Sequence, residues 1–160
     1  MKSVAIRSTF TKITTGALVT VLIGTLGTFI PLCGAQSESP VTLDKAKSMA
    51  AAQHEIVVLL LKQKEFQKAA AEANKIFEMK WPEGQEPLLL KSLLSLSGQF
   101  LSEGQASLGL QVIDRNSRFF KTVPSQIAIW KEKGYLYKNM NQNDKAIDCF
   151  RKAQELEDRK

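Results

Sequence analysis

One histidine, two cysteines and 16 carboxylates are the groups from which acid–base, nucleophilic or metal chemistry would have to be built in this chain of 160 residues. His54 stands between Gln53 and Glu55, and no second His or Cys lies near it to complete a metal site. Cys149 is next to Phe150, which predicts a half-buried, inert thiol rather than a nucleophile. There is no Gly-rich phosphate loop and no nucleophile elbow. Glu155, Glu157 and Asp158 crowd together near the end of the chain, where they read as the polar face of a terminal helix. The expectation is a protein that is not an enzyme, with no catalytic residue, no metal ligand and no cofactor.

The charge is unevenly placed. Of the 22 basic residues, Lys2, Arg7 and Lys12 precede residue 35, whereas all 16 acidic residues lie at Glu38 or beyond. Half of the formal net charge of +6 therefore belongs to the first segment, and what remains is a weak argument for nucleic acid as a partner. Residues 1–35 run from a basic stretch through the uncharged Ile13 to Leu32 into the small residues Gly34 and Ala35, the order of a secretory signal. Cleavage after Ala35 would send the remainder out of the cytoplasm by a Sec-type route, to the periplasm or the exterior. The uncharged run, about twenty residues, also has the length to span a bilayer if retained. It would then be a membrane tether through residues 13–32, and Cys33 offers a lipidation site as a third outcome. With the leader removed, Cys149 is the one cysteine left, so stability must come from packing rather than from a disulfide.

The elements that would position any binding residues are helical. After a polar linker, residues 36–42, with Thr42 as N-cap, residues 43–64 contain neither Gly nor Pro and repeat apolar residues near a 3.6-residue period. Further helices are predicted over 66–79, 86–102, 105–120, 125–140 and 144–158. They are separated by Trp81-Pro82-Glu83-Gly84, Glu103-Gly104, Thr122-Val123-Pro124 and Asn141-Gln142-Asn143. The helices fall into three pairs joined by short turns, with a proline-bearing break after each of the first two.

In the last pair Trp130, Gly134 and Tyr137, followed by Ala146, Phe150 and Ala153, stand at the spacings W-x2-L-G-x2-Y and A-x3-F. This pattern resembles the tetratricopeptide repeat family. Lys133 replaces the Leu of the pattern, and its stem is expected along the apolar seam with the amine in water. Fainter copies are Ile56, Val57 and Leu60 with Ala69, Ala73 and Ile76, and Leu93, Ser97 and Phe100 with Gly109 and Ile113. The resemblance implies an all-α domain over 43–160: a right-handed superhelical solenoid of about three helix-turn-helix repeats at roughly 50–83, 90–123 and 127–160.

It also implies that the first helix of each pair lines a concave groove that binds another protein. The groove residues carried over are His54, Val58, Leu61 and Lys62; Leu94, Gly98, Leu101 and Ser102; and Lys131, Tyr135, Lys138 and Asn139. Such a surface is apolar over two repeats and basic at its end. It suits an amphipathic helix or an extended apolar segment with acidic residues better than a bare C-terminal carboxylate. The expected role is an interaction module or assembly factor of the cell envelope, monomeric or dimeric through the first helix, with a chaperone for exported clients with apolar segments as the alternative.

Overall fold

Thr42 is the first of the residues described in the computed structural model, 42–159; the leader and residues 36–41 of the linker lie outside them. Its backbone is extended and its hydroxyl accepts from the Lys45 amide at 3.4 Å, so it caps α1 (Leu43–Lys62) as the sequence predicts. Then come α2 (Phe66–Glu78), α3 (Glu86–Ser102), α4 (Ala106–Asn116), a 3-10 turn (Ser117–Phe119), α5 (Val123–Asn139) and α6 (Asn143–Asp158). The described residues hold six α-helices and no strand, consistent with a tetratricopeptide-type helical repeat.

The boundaries move by at most four residues from expectation, and two of the shifts have a visible cause. α5 begins before Pro124 rather than after it, because a proline in the first helical turn has no intrahelical N–H bond to lose. α4 ends at Asn116 instead of 120. There the Asn116 amide turns back to the Val112 carbonyl (2.8 Å) and out to Asn74 Oδ1 of α2 (2.7 Å). The chain then tightens into the 3-10 turn and drops Phe120 into the core, edge-on to Phe77 with ring centroids 6.4 Å apart.

The turn inside each pair has the same construction three times. Lys64 (φ 60), Gly104 (φ 71) and Asn141 (φ 59) are left-handed and follow the C-caps of α1, α3 and α5. Each donates its own N–H to the carbonyl of Leu61, Leu101 or Lys138. The next residue reaches one position further back: Glu65 to Leu60 (2.9 Å), Gln105 to Phe100 (2.8 Å) and Gln142 to Tyr137 (2.9 Å). This double closure satisfies carbonyls that the helix end would otherwise leave open. The same three residues, Glu65, Gln105 and Gln142, are the N-caps of α2, α4 and α6. One backbone device therefore ends the first helix and starts the second in every pair.

Helices held at that angle come close, and the residues at the crossing are small: Ala69, Gly109 and Ala146 are all buried. Around them Val57, Ala73, Ile76, Leu93, Leu96, Phe100, Val112, Ile113 and Leu136 build a continuous core, each at 1% exposure or less. The described residues, 42–159, form a compact unit with this core as their own.

Successive pairs are joined by polar contacts as well as by apolar ones. The Asn74–Asn116 bond ties α2 to α4, and the buried Ser97 hydroxyl donates to Glu132 Oε1 across α3 and α5 at 2.7 Å. Glu86, in the first turn of α3, receives the backbone amides of Lys121 (3.1 Å) and Thr122 (3.0 Å) and the Thr122 hydroxyl (2.5 Å). It thereby holds the start of α5 beside the start of α3. Burial pushes this carboxyl upward, but hydrogen bonds from Thr122, Ser125 and the two amides outweigh it, and its pKa falls from the ordinary 4.5 to about 2.

Two outcomes are expected. Lys64→Gly should raise stability by about 1 kcal/mol, because it relieves a side chain held in the left-handed region, whereas Gly104→Val should lower it by roughly 1–2 kcal/mol or more; urea unfolding of both checks this. Glu86 has a depressed folded pKa, so its contribution is complete above about pH 4.5 and disappears as the pH falls toward 2. The Tm gap between wild type and Glu86→Gln should therefore be widest near neutrality and close across that acid window.

Candidate functional site

The first helices α1 and α3 diverge enough to leave a cleft of about 290 Å³ between their N-terminal halves. Its walls are Lys47, Ala50, Ala51 and His54 on α1 and Leu88, Lys91, Ser92 and Ser95 on α3. Ile76 and Trp81 complete the lining from the end of α2 and the chain beyond it. The indole N–H of Trp81 donates to the Ile76 carbonyl at 2.8 Å, which satisfies the helix end and fixes the ring. No carboxylate lines the cleft; its two charged residues, Lys47 and Lys91, are exposed lysines. The Nε2 atom of His54 is buried without a hydrogen-bond partner in this wall.

A second, shallower depression, about 490 Å³, lies between α3 and α5, lined by Leu101, Glu132, Tyr135, Lys138 and Asn139. Tyr135 is 55% exposed, and its ring meets the edge of Phe150 with centroids 5.3 Å apart. Lys138 and Asn139 stand here together, as the groove reading has them.

The other groove residues are scattered. Leu61 is only 3% exposed and belongs to the core, so it faces no groove; it points the same way as His54 two turns earlier, but at its end of α1 that face is covered by the core instead of opening onto the cleft. Val58 and Leu94 are half-buried, and Lys62 and Gly98 are exposed without lining either hollow. The Ser102 hydroxyl is turned back onto the Gln99 carbonyl at 2.8 Å. Lys131 is drawn to Glu157 of α6 at 2.7 Å, so it does not join Lys138 in a basic cluster. Glu132 sits where that cluster was expected, and basic side chains stand at the other end instead, on Lys47 and Lys91. Lys47, Ala51 and Lys91 were missed, although Lys47, Ala51, His54 and Val58 share one helical face. Following that face one and two turns back from His54 would have found the first two.

The residues of the last-pair motif take their packing places with two corrections. Gly134 is buried, and a Cβ there would lie 2.6 Å from Cε1 and 2.7 Å from Cζ of Phe150, so any larger residue would have to push that ring away. Ala146 and Ala153 are buried, while Trp130 and Tyr137 are half-buried and covered by lysines whose Nζ atoms lie 4.8 Å (Lys133) and 5.5 Å (Lys145) from their ring centroids. Phe150 is half-buried, a lid over Gly134 rather than a core side chain. Lys133 does not send its amine to water: at 16% side-chain exposure it meets Asp114 of α4 at 2.5 Å, joining the second pair to the third. A leucine in its place could pack the seam but could not reach that carboxylate.

Cys149 is more deeply placed than expected, at 5% exposure, and burial raises its thiol above the ordinary 9.0, which makes it a poor nucleophile. Among the described residues no group of three or more His, Cys, Asp and Glu side chains is arranged to hold a metal ion, and no helix is long and apolar enough to cross a membrane.

No curated protein and no solved structure matches the chain. A family model described as tetratricopeptide repeat matches residues 127–159, which take in all of α6 and α5 after its first turn, and repeats of that family are in general protein–protein interaction modules. The third helix pair is thus similar to a tetratricopeptide repeat in sequence as well as in form.

Proposed function

We propose that the protein is an interaction module of the cell envelope, carried there by its leader, that holds an apolar segment bearing acidic residues across the first helices of its pairs. The observation that carries this reading is the α1–α3 cleft. It combines an apolar floor at Ala50, Ile76, Trp81 and Leu88 with lysines at Lys47 and Lys91 and contains no acidic group. An apolar side chain of the ligand would fill the floor, and a neighbouring carboxylate would be drawn to the lysines. Burial of the apolar side chain supplies most of the affinity, and the rim charges supply orientation and on-rate. The leader, residues 1–35, supports an extracytoplasmic setting, whether it is cut, retained as an anchor or lipidated at Cys33.

The test is fluorescence anisotropy with two labelled peptides, one with Leu and Phe flanked by Asp and Glu, the other with the acids changed to Lys. The acidic peptide should bind the more tightly, with an affinity that falls as salt rises. Lys47→Glu with Lys91→Glu should weaken it by about tenfold or more, equivalent to about 1.4 kcal/mol, with an unchanged Tm because both side chains are exposed. Equal affinity for the two peptides, or an unaffected double variant, removes the cleft from the binding site.

A further inference from the structure

We infer that α1 pairs antiparallel with α1 of a second copy of this chain, through a stripe of Met49, Ala52, Ile56 and Leu59. Three of these are large hydrophobic side chains left open to solvent, Met49 at 48%, Ile56 at 43% and Leu59 at 54%. They recur at helical spacing over about 15 Å of the helix. The opposite face of α1, with Ala46, Ala50, Val57 and Leu61, is already spent on the core. The stripe is separate from the cleft, whose α1 wall is Lys47, Ala50, Ala51 and His54.

The choice of a second copy follows from the two ends of the helix row. At the far end α6 exposes Asp144, Asp148, Arg151, Lys152, Glu155 and Glu157, with Ile147 as its exposed large apolar side chain. End-to-end stacking would press the apolar stripe against that charged face and would propagate without closing. Pairing like with like buries the stripe on both copies and closes as a two-fold dimer. With residue 54 at the midpoint, Met49 of one copy lies opposite Leu59 of the other, and Ala52 lies opposite Ile56, small against large. Lys45 falls beside Gln63, the C-cap of the other α1, where the negative end of the helix dipole attracts an ammonium. No two like charges oppose one another along the stripe in this register.

Sedimentation equilibrium on the full chain in detergent micelles, and on residues 36–160 in buffer, tests the pairing. Both should reach about twice the monomer mass by about 100 µM protein. Ile56→Glu with Leu59→Glu should restore the monomer mass with helical circular dichroism retained. Lys45→Glu, at an exposed position, should weaken association a few-fold and guards against a double variant that fails to fold. Monomers of both forms, a dimer indifferent to these variants, or a dimer seen only when the leader is present would each overturn the inference.

Discussion

A helix that stops at a left-handed residue, with its last carbonyls closed by the next two amides, sends the chain back along itself in one defined direction. In this protein that closure occurs at Lys64, Gly104 and Asn141, and the residue after each is already the cap of the returning helix. Everything else in the pairs follows from the angle so fixed. The crossing helices approach where Ala69, Gly109 and Ala146 leave room, and in the third pair Gly134 lets the Phe150 ring lie over the backbone. The left-handed conformation is strained for Lys64 and Asn141, yet it persists because two backbone bonds and the packing of both helices hold it.

Apolar contact alone would let one pair slide or rotate on the next, and the polar links between pairs restrict that freedom. Asn116 donates to Asn74 Oδ1 inside the core, and the Ser97 hydroxyl donates to Glu132. Glu86 collects the amides that open α5, and Lys133 reaches Asp114. A buried amide or hydroxyl left without its partner would be destabilising, so these bonds specify a register as much as they add stability. None of them bridges α1 and α3, and the hollow between those two helices is lined in part by Trp81 and two lysines.

Much of the fold could be read from residue order. Proline, glycine and the polar turns delimit all six helices to within a few residues, and the Trp130–Gly134–Tyr137 spacing identifies the third pair because each of those residues has a packing reason for its type. The shared turn was harder to see, since its left-handed residue is a lysine in one pair and an asparagine in another, and only Gly104 announces itself. The site was less legible than the fold. Helical periodicity assigns a face but not where along the helix that face is covered, so Leu61 lies in the core although His54, two turns earlier on the same face, lines the cleft. Pairings between distant charges, such as Lys131 with Glu157, leave no local mark in sequence, so the expected basic cluster dissolved once α6 was in place.

Three unlike sequences make the same closed turn, and the three pairs depend on it. Amide hydrogen exchange resolved to single residues measures it directly at Glu65, Gln105 and Gln142, whose N–H groups lie outside helical i to i−4 bonding and are protected only through Leu60, Phe100 and Tyr137. All three should exchange slowly, at rates like those of the helix ends they close. Exchange at the unprotected rate at any one of them would show that its pair is held by some other means and that the repeat is not built as described.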